Sequence, residues 1–121
     1  MGKEYHDGLV KLIANSTSYL EVALGFKPIK IITNYHLNNG SVNNLEVDIL
    51  VYGNKNRQAV VEVKSNSGLR GNYYEHQLGR YRIYFPLASQ HLVYSSIIDS
   101  YELSDLIWEH VEDLKGFPEY L

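Results

Sequence analysis

Two β-branched runs, Glu46-Val-Asp-Ile-Leu-Val-Tyr52 and Ala59-Val-Val-Glu-Val-Lys-Ser65, constrain this chain more than anything else in it. Apolar residues alternate with period two in both, the mark of strands with a buried face. Between them Gly53-Asn-Lys-Asn-Arg57 is dense in turn formers, so the runs are expected to close into a β-hairpin. The same strands nevertheless carry Glu46, Asp48, Glu62 and Lys64 at period-two positions. Taking an unpaired carboxylate out of water is costly, so two carboxylates and an ammonium on one side of a sheet need a common purpose, most simply a divalent cation.

Hairpin geometry sharpens this. Alternation puts Glu46, Asp48, Leu50 and Tyr52 on one face of the first strand and Val60, Glu62 and Lys64 on one face of the second. The carboxylates meet only in an even register; pairing Asp48 with Glu62 sets Glu46 opposite Lys64 and leaves Asn54-Lys55-Asn56 as a short loop. A slip of one residue would put the two acids on opposite faces. An ordinary Glu/Lys cross-strand pair on a wet sheet face is the plainer use of such residues.

Asp48, Glu62 and Lys64 resemble the core signature of the PD-(D/E)XK nuclease superfamily, an Asp on one strand followed by (Asp/Glu)-x-Lys on the next. Downstream, Gln77 and Tyr81 in Glu75-His-Gln-Leu-Gly-Arg-Tyr81 match the Gln-x-x-x-Tyr helix motif of its RecB-like members. The sequence departs from the pattern at Val47, which stands where many members have Pro. The resemblance implies an α/β, restriction-endonuclease-like αβββαβ core with a mixed central sheet flanked by helices. It implies a DNA nuclease using Mg²⁺, with Mn²⁺ able to substitute. Asp48, Glu62 and the Val63 backbone carbonyl would hold the metal. Lys64 would orient or activate the attacking water, or offset charge on the phosphate, with Gln77 and Tyr81 bordering the site.

Many members add an acid from the first helix, a role for which Asp7 and Glu4 qualify here ahead of Glu21. The near-bare core suggests a structure-selective endonuclease like the dimeric archaeal Holliday-junction resolvases, whereas the Gln-x-x-x-Tyr helix suggests a RecB-like end-processing exonuclease. Either belongs to DNA repair or recombination. A non-catalytic DNA-binding or assembly module on the same fold is the alternative from another class.

The rest of the chain is consistent with that expectation. Residues 4–24 read as a helix closed by Gly25 and Pro28, 29–37 as a strand, 73–85 as a helix and 91–95 as a strand. Leu103, Leu106, Ile107, Val111 and Leu114 recur at helical spacing, so residues 100–115 are expected to form a closing helix, covering its own sheet or serving a homodimer. At 121 residues the chain reads as a single domain, 1–121. It contains no Cys, which removes disulfides and thiolate zinc sites and suits a reducing cytoplasm. No apolar stretch reads as a membrane span or signal peptide.

His6, His36, His76, His91 and His110 show no metal-ligand spacing, and no phosphate loop suggests an organic cofactor. The net charge of −3 hides a division: residues 1–82 hold ten Lys/Arg against seven Asp/Glu, and residues 83–121 hold one against seven. DNA is therefore expected over the hairpin and second helix, with Arg80, Arg82, Arg70 and Lys55 meeting phosphates.

Overall fold

Whether helices cover both faces of the hairpin strands decides how deeply their charges sit. The computed structural model describes residues 2–37, 45–64, 73–97, 100 and 102–111, with the side chains of 2, 3, 37, 45 and 73–78 outside that set. Within it the protein is α/β, with three helices and a five-stranded mixed sheet. Helix α1 (Gly2–Asn15) buries Tyr5, Leu9, Val10 and Ile13, a stripe at helical spacing. The single helix expected over 4–24 is in fact two. Ser16 leaves helical geometry (φ −102°, ψ 72°) and its hydroxyl donates to the Leu12 carbonyl at 2.6 Å before α2 (Thr17–Leu24) begins. A serine side chain that satisfies a local carbonyl offers the backbone an alternative to the helix ladder.

The sheet runs in sequence order: β1 (Lys30–Leu37), β2 (Leu45–Tyr52), β3 (Gln58–Lys64), β4 (Ala88–Ser95) and β5 (Leu106–Val111). Neighbours are antiparallel except β3 and β4, whose parallel pairing follows from the crossover through α3 (Tyr73–Tyr84). The hairpin forms with Tyr52 opposite Gln58 and Ile49 opposite Val61, the expected register, but the ladder ends there, so the expected pairings of Asp48 with Glu62 and Glu46 with Lys64 are not part of it. Two apolar clusters sandwich the sheet. Leu9, Ile13 and Leu20 pack with Ile49, Val51, Val61 and Val63 on one face, and Tyr81 packs with Val47, Leu50 and Val60 on the other.

Val47 and Leu50 share a cluster although they are three apart, as do Ile32 and Tyr35 on the neighbouring strand. Strict alternation would send such residues to opposite faces. The chain turns over between them: Asn34 is left-handed (φ 53°), and the β1–β2 partners pass from Thr33–Ile49 to Tyr35–Val47 without pairing Asn34 and Asp48. Asp48 therefore lies at a kink in the sheet.

The closing helix expected at 100–115 is not what forms. Leu103–Asp105 is a single 3₁₀ turn and Leu106–Val111 is β5, an edge strand antiparallel to β4; Leu114 and Lys115 fall outside the described residues. Leu106 and Trp108, two apart, join the cluster beneath α1 and α2, where Trp108 meets Tyr19 edge-to-face at 5.7 Å. Its indole N–H donates to His91 Nδ1 at 3.0 Å, so His91 carries its proton on Nε2, 2.8 Å from the Ser89 hydroxyl. Among the described residues no helix is long and apolar enough to cross a membrane.

Candidate functional site

The kink gives Asp48 its surroundings. Its Oδ2 accepts a hydrogen bond from the Val63 amide at 2.9 Å, reaching into the gap where β2 and β3 part, and lies 3.2 Å from Nε2 of His6 on α1. A strand residue directs its N–H and C=O to the same side, so the Val63 carbonyl also faces that gap. Glu62 belongs to the face beneath α3, where its Oε2 accepts from the Tyr81 hydroxyl at 2.8 Å and its Oε1 lies 3.4 Å from Lys64 Nζ. The two carboxylates lie close enough for each to shift the other's pKa, and they are only 6% and 2% exposed.

Two acids this close and this dry cannot both hold a charge comfortably. Burial, and then the neighbouring Asp48 charge, push the Glu62 carboxyl well above the usual range, against the opposing pull of Lys64 and Tyr81. Burial also acts to raise Asp48, but hydrogen bonds from His6 and Glu62 and the Val63 amide outweigh it and hold Asp48 below its ordinary value. Protonation is thus favoured on Glu62 and disfavoured on Asp48. The hydrogen bond to Asp48 raises His6 despite its own burial. Tyr81, raised by burial and by Glu62, stays a phenol; its single proton faces two acceptors, the Glu46 carbonyl at 2.5 Å and Glu62.

Asp48, Glu62, Val63, Lys64 and Tyr81 therefore come together. Lys64 pairs with Glu62 on its own strand, while the Glu46 side chain turns to solvent, 3.9 Å from His36. Glu4 is exposed. Asp7 reaches the site only through His6, whose Nδ1 lies 3.5 Å from Asp7 Oδ1. His6 is the residue that the sequence reading missed. The available signal was its place three and four residues before Leu9 and Val10, on the stripe that α1 turns toward the sheet. Arg80 is half-buried and Arg82 exposed on α3, whereas Lys55 sits at the far hairpin tip. Arg70 and the Gln77 side chain lie outside the described residues.

Among the described residues no group of three or more His, Cys, Asp or Glu side chains is arranged to hold a metal ion. What is present is a desolvated carboxylate pair with a backbone carbonyl directed at the same gap. That donor set is all oxygen. It fits a hard cation such as Mg²⁺, which takes one or two carboxylates and completes its shell with water and substrate oxygens.

No family model matches the chain, and no curated protein matches it. One solved structure, titled "Crystal structure of SSO0001", aligns with 98% of this chain at 20% identity and a TM-score of 0.45. The chain corresponds to 55% of the length of that structure.

Proposed function

We propose that the protein is a Mg²⁺-dependent deoxyribonuclease of the PD-(D/E)XK superfamily, with Mn²⁺ able to substitute. The observation that carries this reading is the burial of both Asp48 and Glu62 at the parting of β2 and β3, with the Val63 amide on Asp48 and Lys64 3.4 Å from Glu62. Two buried acids that disfavour one another's charge are a poor way to stabilise a sheet and a good way to hold a divalent cation, whose charge would offset both. The element order also supports the reading: a helical segment, three antiparallel strands, a crossover helix and a parallel fourth strand follow the order expected of an αβββαβ core, with β5 added at the edge.

When bound, such a cation would supply a nucleophilic hydroxide at neutral pH and neutralise charge building on the scissile phosphate. The chain's own residues do the rest. Asp48 and Glu62 would hold the cation with the Val63 carbonyl. Tyr81 fixes Glu62 from the α3 side, and His6 fixes Asp48 from the α1 side. Lys64, whose side chain is 16% exposed, keeps its ammonium at the solvent edge of the pair, where it meets the attacking water or the phosphate. Incubating the protein and Mg²⁺ with linear duplex, single strand, flap and four-way junction tests the proposal and sorts the subtype. Junction or flap cleavage marks a structure-selective endonuclease, and end-dependent shortening an exonuclease. No cleavage of any of them with either Mg²⁺ or Mn²⁺ would leave the non-catalytic module standing.

A further inference from the structure

The β2–β3 turn carries a second feature, well away from the carboxylates. A cavity of about 200 Å³ opens there, lined by Phe26, Lys27, Asn54, Lys55 and Arg57. It contains three cations and no acid. Among the described residues none of the three is in an ion pair, all such pairs lying elsewhere. The turn begins at Gly53, five positions after Asp48, roughly 17 Å along the strand at about 3.3 Å each, so this cavity and the carboxylate gap are distinct places.

Its walls are built rather than incidental. Gly25 ends α2 in the left-handed region (φ 79°), and its carbonyl accepts from the Arg57 guanidinium at 3.4 Å. Phe26 lies so close over Gly53 that a Cβ there would sit 2.4 Å from the ring, so glycine is what lets this wall approach. Lys55 and Asn56 are both left-handed (φ 60° and 61°), within a turn closed by Gly53 N–H to the Arg57 carbonyl at 2.8 Å. Both positions need positive φ for a two-residue hairpin turn between twisted strands; Asn tolerates that conformation, and Lys adopts it at a cost of about 1 kcal/mol.

We propose that this cavity is a phosphate site, in which Lys27, Lys55 and Arg57 surround one phosphate group with Phe26 as its apolar floor. Its volume is below the 300 Å³ or so at which pockets begin to enclose drug-sized ligands, and suits a single anionic group. Arg57 offers a planar fork of donors to phosphate oxygens, and the lysines add point charge. The phosphate comes either from a nucleic-acid strand anchored away from the cleavage gap or from a small phosphate ester. The site itself does not rest on the nuclease reading.

Both sources are tested in the presence of chelator, so that cleavage plays no part. Inorganic phosphate is titrated while backbone amides are followed by NMR, and a labelled oligonucleotide is titrated by anisotropy at several salt concentrations. Wild type is compared with Arg57→Gln, Lys27→Gln and, as a charge-matched control, Lys11→Gln on the exposed side of α1. Phosphate should shift amides of residues 26–27 and 53–57, and both cavity variants should abolish those shifts. If a strand supplies the phosphate, Arg57→Gln lowers affinity roughly eightfold at about 0.1 M salt and reduces the salt slope by about 0.9, the effect of one phosphate contact, while Lys11→Gln does not. Amide shifts with unchanged strand binding assign the site to a free phosphate ester. Absence of both effects overturns the proposal, and an inactive protein that still shows the shifts would count against the nuclease reading alone.

Discussion

Tyr81→Phe removes one oxygen from the centre of the account and leaves the ring in place. The side chain is fully buried, and its ring packs among Val47, Leu50 and Val60. Phe fills the same space, so no sizeable cavity follows and the cost is polar. The hydroxyl serves the Glu46 carbonyl at 2.5 Å and Glu62 Oε2 at 2.8 Å. Deleting it strips a donor from two acceptors, one on a buried acid, and a buried group left short of a partner costs about 1–3 kcal/mol. We expect a loss of about 2 kcal/mol, which at a urea m-value of roughly 1.5 kcal/mol/M lowers the denaturation midpoint by about 1.3 M. The m-value itself should not change. Tyr81 also draws Glu62 downward in pKa, so the variant should need higher pH to admit a cation. A midpoint within about 0.3 M of wild type would mean that the hydroxyl does not support Glu62, and the tie between α3 and the site would fall.

Other variants probe the charges. Glu62→Gln should remove a pH dependence. Because folding raises the Glu62 pKa, the native state keeps a proton that the unfolded chain gives up, so metal-free wild type loses stability as pH rises from the ordinary carboxylate range through the raised value. Denaturation midpoints across pH should be flatter in the variant over that window. Lys64→Ala should cut cleavage by about a hundredfold or more and leave thermal stability nearly unchanged, since it loses a group placed for the transition state. His91 behaves oppositely to Glu62. Burial, aided by His110, lowers it to about 4, so the unfolded chain takes up the extra proton below its ordinary value of 6.5. Stability should therefore fall as pH drops from 6.5 toward 4, by about 3 kcal/mol at most, and NMR titration should find the His91 ring neutral at pH 5.5.

Much of the site was legible because a hairpin allows so few registers. A five-residue turn sufficed to give the register of the ladder from Tyr52–Gln58 to Ile49–Val61, which ends one step short of Asp48 and Glu62. Alternation alone could not reveal the kink. A left-handed Asn34 on the neighbouring strand turns the chain over beside Asp48, opening the gap in which its carboxylate meets Val63 and His6. His6 was hidden for a related reason: the search for helix acids passed over a histidine whose partner is 42 residues away. The closing segment misled because Leu103, Leu106, Ile107 and Val111 fit a helical stripe as well as Leu106 and Trp108 fit a strand. An unpaired edge on β4 decided between them, since pairing with β5 satisfies backbone groups that a helix would leave open. Ser16 ended the first helix by a local hydrogen bond that no hydrophobic pattern records.

Supercoiled plasmid incubated with wild-type protein and Mg²⁺ tests the central claim most directly, since that claim is that Asp48 and Glu62 hold a cation that breaks phosphodiesters. The account predicts nicked or linear product that chelator abolishes, that Mn²⁺ restores, and that neither Asp48→Asn nor Glu62→Gln produces. Intact plasmid under all these conditions, or equal cleavage by the Asp48→Asn and Glu62→Gln proteins, would contradict it.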